Sequence, residues 1–96
     1  MTNGRQRAVL VRIEGRVQGV WYRGWTVHEA VSRGLRGWVR NRSDGSVEAL
    51  FAGPEDDVDG MLATCHQGPP GARVTAVIAR PTDPPERPGF TARETL

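Results

Sequence analysis

Apolar and polar positions alternate in some stretches of the chain and follow a helical repeat in others. Near the N-terminus Val9, Val11 and Ile13 fall on one face of an extended segment, with mostly polar residues between them. This alternation predicts a strand over Ala8–Glu14. A glycine-containing loop, Gly15–Val20, follows the strand directly.

Two stretches carry the repeat of an amphipathic helix. The first is predicted over Tyr22–Arg33, and Gly34 suits its end because glycine readily adopts the left-handed conformation. The second is predicted to open at Pro54, and the acidic run Glu55–Asp57 complements the positive end of its dipole. The predicted core-facing positions are Thr26, Val27, Ala30 and Val31 in the first helix, and Val58, Met61, Leu62 and Cys65 in the second.

The remaining apolar stretches complete an α+β architecture. Further strands are predicted over Arg36–Arg42, Ser46–Ala52, Arg73–Ala79 and, at an edge, Phe90–Glu94. The order β-α-β-β-α-β with a short fifth strand is that of a ferredoxin-like two-layer α/β sandwich with a mainly antiparallel sheet. We expect a disordered lead-in at residues 1–7 and a single domain over residues 8–96. Trp38 and Phe90 are expected in its core.

This topology places two distant parts of the chain at one edge of the sheet. Strand one, the first helix and strand two form a right-handed crossover, so the two strands run parallel with strand three between them. Their carboxyl ends therefore lie at the same edge. The loop Gly15–Val20 follows strand one and Asn41 lies near the end of strand two, so residues 15–23 and Asn41 should meet.

The groups predicted at this edge suit a small anion. Loop amides that precede a helix N-terminus form a ready anion site. Arg23 adds a fixed charge in a planar fork, and Asn41 adds a carboxamide. The loop amides expected to contribute are those of Arg16, Val17, Gln18, Gly19 and Val20.

Other site chemistries find little support in the sequence. The loop lacks the GK[ST] ending of a P-loop and does not match GxGxxG. No spacing of His, Cys and carboxylates resembles a metal site, Ser43 has no paired base, and His28 is predicted to point away from Arg23. The edge suits a substrate that is already activated. An acyl phosphate is one, because its carboxylate leaves easily once the phosphate is held and a water is oriented.

Composition limits the partners and the compartment. The chain has 96 residues and 13 basic residues, all Arg and spread along its length, with a net charge of +2, so no nucleic-acid partner is indicated. Cys65 is the only cysteine, which excludes an internal disulfide and fits a reducing compartment. No apolar run approaches membrane length. We therefore expect a cytoplasmic protein with no membrane partner.

Two motifs resemble the signatures of the acylphosphatase family. They are Gly15-x-Val17-Gln18-Gly19-Val20-x-Tyr22-Arg23 and Gly37-Trp38-Val39-Arg40-Asn41-x-x-Asp44-Gly45-x-Val47, and the similarity runs on to Gly89-Phe90-x-x-Arg93. The resemblance implies hydrolysis of acyl phosphates to a carboxylate and inorganic phosphate. It implies that Arg23 and the loop amides bind the phosphate and that Asn41 orients the attacking water. Two departures are mild: Tyr22 stands where phenylalanine is common, and Ala92, a small residue in the last strand, is expected only to weaken core packing.

The resemblance also implies an enzyme that needs no metal and no cofactor, with inorganic phosphate as product and inhibitor. Nothing in the sequence demands more than a monomer. Little in the predicted pocket would select the acyl group. Trp21 and Trp25, which flank the loop, are expected to be structural or to pack at its rim.

Two other functions stay open at this point. The fold could serve as a phosphate or carbamoyl-phosphate binding module without useful turnover. It could also be an RNA-binding sheet, which shares the order of strands and helices but needs aromatic residues on its central strands. Strand one has none, and strand three has only Phe51 near its end.

Overall fold

A computed structural model describes residues 5–96, which form a five-stranded sheet and two helices. The elements, in chain order, are β1 (Gln6–Arg16), α1 (Tyr22–Ser32), β2 (Arg36–Asn41), β3 (Val47–Pro54), α2 (Glu55–Cys65), β4 (Arg73–Pro81) and β5 (Phe90–Ala92). Within the described residues, no helix combines the length and the apolar character that crossing a membrane requires.

The strand order of the sheet is β4-β1-β3-β2-β5. β1 pairs antiparallel with β3 and β4, whereas β2 pairs antiparallel with β3 and parallel with β5. Because β1 and β2 are both antiparallel to β3, they run parallel to each other, as the crossover argument predicts. The predicted ferredoxin-like α+β fold is confirmed, with its short fifth strand at an edge.

One face of the sheet is buried beneath the two helices. Val9, Val11 and Ile13 of β1 are fully buried, as their alternation predicts. From α2 the predicted stripe is also buried at Val58, Met61 and Cys65, and Leu62 packs partly against the core. Full burial of an apolar side chain of this size contributes about 1.5–3 kcal/mol. This core fixes the two strands whose ends carry the candidate site.

The buried face of α1 is rotated from the predicted one. Tyr22, Thr26 and Ala30 are buried, Val27 is partly buried, and Val31 is 59% exposed. The prediction that Val31 faces the core is therefore wrong. Residues four apart lie nearly above one another on a helix, so Tyr22, Thr26 and Ala30 form one row, and this row faces the core. Val31 follows Ala30 and is rotated about 100° around the helix axis, toward solvent.

β1 begins earlier than the sequence pattern predicts. Gln6 and Arg7 lie in the strand opposite Pro54 and Gly53 of β3, so the prediction of disorder is wrong for these two residues. Both residues are polar and so give no apolar alternation from which a strand could be predicted. Backbone pairing with β3 and an ion pair between Arg7 and Asp59 hold the strand here. Residues 1–4 of the predicted lead-in lie outside the described residues.

Trp38 lies on the open face of the sheet, not in the core. Its neighbour Val39 is fully buried, and successive residues of a strand point to opposite faces. The guanidinium carbons of Arg40 and Arg93 lie 4.8 and 4.7 Å from the centroid of the indole, one cation–π contact each. Phe90, by contrast, is buried as predicted.

The burial of Cys65 gives a prediction for thiol labelling. The side chain is fully buried, and burial raises the pKa of its thiol to about 12. At pH 8 we expect Cys65 to react with DTNB about 10²-fold more slowly in the folded protein than in urea, because the thiol lacks both access and thiolate character. Equal labelling rates in the two conditions would contradict this placement.

Candidate active site

Two glycines with positive φ, Gly15 near the end of β1 and Gly19 in the loop that follows, shape the path from β1 to α1. The register of β1 against β4 shifts at a β-bulge between Glu14 and Gly15. Gly15 has a φ of 121°, and a Cβ built there would lie 2.0 Å from the carbonyl oxygen of Arg73. Gly19 has a φ of 75°. Glycine tolerates the positive φ that the chain needs at these two positions as it leaves the sheet and turns towards α1.

This loop and the end of β2 border a cavity of about 290 Å³. Its lining residues are Val17, Gln18, Gly19, Trp21, Tyr22, Arg23, Gly24, Asn41 and Ala92. The cavity thus brings together Arg23, Asn41 and the middle three of the predicted loop residues. Arg16 and Val20 are not part of its lining: Arg16 ends β1 opposite Arg73, and Val20 packs against the core.

Arg23 presents an unengaged positive charge at this cavity. It is the second residue of α1, it is exposed, and its guanidinium forms no ion pair or hydrogen bond with residues 5–96. Other arginines are engaged: Arg12 pairs with Asp44 at 2.7 Å, and Arg42 pairs with Glu48 at 3.1 Å. The guanidinium of Arg23 is therefore available to an anion in the cavity.

The N-terminus of α1 adds positive potential to the same space. No side chain caps this end, and its first turn has no acidic residue. α2 differs, because its first turn contains Glu55, Asp56 and Asp57. The first N–H groups of a helix lack intrahelical partners and carry the positive end of the dipole. The N-terminus of α1 therefore keeps its positive potential, whereas the acidic residues of α2 largely neutralise the potential at the N-terminus of α2.

Asn41 supplies a buried acceptor on the opposite side of the cavity. Its Oδ1 atom is buried and has no hydrogen-bond partner among the described residues. Its backbone carbonyl accepts a hydrogen bond from the amide of Leu96 at 3.0 Å, which fixes the end of β2. Because buried polar atoms are normally paired, an unpaired carboxamide oxygen in a cavity wall is a candidate for contact with a bound molecule.

Gln18 ties the loop to the hairpin that follows Asn41. Its Nε2 donates to the carbonyl oxygens of Arg42 and Ser46, at 2.8 and 2.9 Å. One side chain thereby sets the spacing between the loop and the end of β2. Sequence reasoning assigned only a backbone role to Gln18. The available signal was a side chain with an amide group in a loop, Gly15–Val20, that otherwise contains only glycine, valine and arginine.

The side chains set aside by sequence reasoning lie elsewhere. Neither Ser43 nor His28 lines the cavity, and both are exposed. Among residues 5–96 no group of three or more His, Cys, Asp or Glu side chains is placed to hold a metal ion. Ala92 lines the cavity and is exposed, so its small side chain bears on the site and not on core packing, contrary to prediction.

Comparison with known proteins decides the family. The family model for acylphosphatase matches residues 9–92. The chain belongs to the acylphosphatase family. The acylphosphatase of Rhodospirillum rubrum is 57% identical over 90 residues, which cover 94% of this chain and 99% of the relative.

Solved acylphosphatase structures share the whole fold. The acylphosphatase from Coxiella burnetii superposes with a TM-score of 0.90 at 30% identity, covering 97% of this chain and 100% of that one. The Bacillus subtilis acylphosphatase gives 0.86 at 33% identity, covering 93% and 99%. The family resemblance carried by the two motifs is thus confirmed. Each motif contributes lining residues to the cavity, Arg23 from the first and Asn41 from the second.

For this member of the acylphosphatase family, Gln18→Ala tests whether the loop must be held in place. We expect kcat/KM for benzoyl phosphate to fall about tenfold, because a small displacement of positioned groups slows catalysis. The free energy of unfolding in urea should fall by about 1 kcal/mol, since the carbonyls of Arg42 and Ser46 each keep a backbone donor. The same truncation at the exposed Gln67 is the control and should leave activity unchanged. Full activity in Gln18→Ala would disprove the positioning role.

Proposed function

We propose that this chain hydrolyses acyl phosphates to a carboxylate and inorganic phosphate in the cavity between the β1–α1 loop and β2. The observation that carries the proposal is the shared lining of that cavity by Arg23 and Asn41, which come from opposite ends of the first crossover. One binds the phosphate and the other orients water. Membership of the acylphosphatase family supports the same reaction.

The phosphoryl group is proposed to bind at the positive side of the cavity. Arg23 donates from its guanidinium, and the backbone amides of Val17, Gln18 and Gly19 complete the cradle, with Arg16 and Val20 adjoining them. The N-terminus of α1 adds its dipole. Because these donors are fixed before the substrate arrives, they stabilise the charge that develops on the phosphoryl oxygens without reorganisation.

Asn41 is proposed to orient the attacking water. Its buried carboxamide oxygen accepts a hydrogen bond from the water, which aims the water's lone pair at phosphorus. The water oxygen forms the new P–O bond, and the bond from phosphorus to the acyl oxygen breaks, so that a carboxylate leaves. The released proton passes to a phosphoryl oxygen of the substrate. No side chain is required as base, because the phosphoryl oxygen takes the proton. No general acid is required either, because the leaving carboxylate is stable without protonation.

The proposed donors supply the positive charge, so the reaction should require no metal and no cofactor. Inorganic phosphate should bind the same donors and act as a competitive inhibitor. We further propose a monomeric cytoplasmic enzyme. Cys65 is a buried free thiol, as a reducing compartment allows.

Phosphate release from benzoyl phosphate tests the proposed function. We expect turnover that EDTA leaves unchanged and that inorganic phosphate inhibits competitively. Binding of phosphate without turnover would instead identify a binding module. Loss of activity in EDTA would show that the charge of Arg23 and the amides does not suffice.

A further inference from the structure

The cavity extends beyond the groups that hold the phosphate. At about 290 Å³ it has roughly ten times the volume that one water occupies in the liquid, and it approaches the size of small-molecule pockets. The groups proposed for the phosphoryl group and the water are Arg23, Asn41 and the loop amides from Val17 to Gly19. The rest of the lining is made by Trp21, Tyr22, Gly24 and Ala92. This second part has no role in the phosphate chemistry.

Trp21 dominates this second part of the lining. It is 65% exposed although it is the largest apolar residue of the lining. Trp25, one turn along the same helix, is half-buried and packs on Tyr22 with ring centroids 5.2 Å apart. Trp25 therefore packs structurally, whereas Trp21 lies at the rim. The indole of Trp21 presents most of its surface to the cavity mouth and solvent.

The backbone holds Trp21 in an unfavourable conformation. It is the N-cap of α1, with φ 66° and ψ 25°, and it is the one described residue other than glycine with positive φ. A left-handed conformation is costly for a bulky side chain and persists where neighbouring contacts enforce it, commonly at functional sites. The neighbour Tyr22 supplies such a contact, because its hydroxyl donates to the carbonyl oxygen of Cys65 at 2.7 Å.

Gly24 provides the place where the indole rests. A Cβ added at Gly24 would lie 2.1 Å from Nε1 of Trp21. The indole therefore lies directly on the first turn of α1, beside Arg23. Ala92, which lines the same cavity, contributes only a methyl group.

We propose that the indole of Trp21 binds the acyl group of the substrate, so that the enzyme prefers acyl phosphates with aromatic or other large apolar acyl groups over acetyl phosphate. This inference rests on the proposed function, since it places the phosphate at Arg23. With the phosphate there, the acyl oxygen points out of the donor cradle and an aromatic acyl group can stack on the indole. Such stacking adds to the apolar area removed from water.

The experiment compares benzoyl phosphate and acetyl phosphate as substrates. For Trp21→Ala we expect the ratio of kcat/KM for benzoyl over acetyl phosphate to fall about five- to tenfold, mainly through a higher KM for benzoyl phosphate. Trp21→Phe keeps an aromatic face and should retain most of the ratio. Ala92→Leu enlarges a side chain that lines the cavity and should lower the ratio while keeping Trp21. Trp38→Ala, on the open face of the sheet, is the matched control and should leave the ratio unchanged.

Inorganic phosphate distinguishes the possible failures. Its inhibition constant should stay within about twofold of wild type in Trp21→Ala, because phosphate lacks an acyl group. If wild type hydrolyses neither substrate, the proposed function is wrong. If wild type hydrolyses both and Trp21→Ala leaves the ratio unchanged, the acyl-binding role is wrong. The acyl-binding role would also be wrong if the inhibition constant of inorganic phosphate rose as much as the KM for benzoyl phosphate. Trp21 would then support the conformation of the phosphate-binding loop.

Discussion

Arg23→Gln lowers kcat/KM for benzoyl phosphate by about 10³-fold or more, because it removes the charged donor at which the phosphoryl charge develops. Since Arg23 is exposed and makes no ion pair or hydrogen bond with the described residues, its loss costs little stability. We expect the free energy of unfolding in urea to change by less than about 0.5 kcal/mol. Steady-state kinetics and urea denaturation of the same preparation separate the two effects.

Two variants sharpen the test of Arg23. Arg23→Lys keeps the charge and loses the planar fork, and should recover only part of the activity. Arg73→Gln removes an exposed charge opposite the end of β1 and off the cavity, and should change kcat/KM by less than about threefold through steering alone. If kcat/KM fell equally in Arg73→Gln and Arg23→Gln, Arg23 would contribute only through the overall charge of the protein and not by direct contact with the phosphate. The inhibition constant of inorganic phosphate should rise only in the Arg23 variants.

Asn41→Ala is also expected to lower activity without lowering stability. We expect kcat to fall about 10²–10³-fold with a smaller change in KM, because the lost contact orients water and does not hold the phosphate. The free energy of unfolding should not fall. The wild-type carboxamide oxygen is buried without a partner among the described residues, and such a group costs about 1–3 kcal/mol.

The hairpin residue Ser43 is the control for Asn41. It is exposed two positions further along and outside the cavity, so Ser43→Ala should retain full activity. A large rise in KM for Asn41→Ala with kcat unchanged would place Asn41 in phosphate binding and not in water orientation. A clear loss of stability would show that its carboxamide is structurally satisfied.

The fold could be predicted because its determinants are local and repeated. Alternation in Val9, Val11 and Ile13 and the stripe on α2 specify buried faces, and chain order with a handed crossover then specifies which strands are neighbours. Gln6 was missed because pairing of its backbone with β3 leaves no trace in side-chain polarity. The position of Trp38 could not be predicted, because the sequence does not distinguish a buried tryptophan from one that packs against two arginines on the sheet surface.

The candidate site could be predicted only in part. The meeting of Arg23 and Asn41 follows from topology, and the structure places both at one cavity. The hydrogen bonds of the Gln18 side chain depend on the direction of a backbone carbonyl in the hairpin. The conformation of Trp21 depends on how its indole packs against Gly24. Such facts depend on three-dimensional contact between backbone and side chain, which neither periodicity nor residue type encodes.

The interleaved order of the strands also has a kinetic consequence. The cavity takes residues from the β1–α1 loop, from the end of β2 and from β5. The ends of β1 and β2 reach the same edge only when β3 has paired with both strands. Strand pairs that are far apart in sequence form late in folding, because closing the long loop between them costs conformational entropy before the contacts contribute stability. A partly folded chain therefore holds Arg23 and Asn41 apart. Recovery of hydrolysis after dilution from urea should report closure of the whole sheet and should lag behind the return of helical signal.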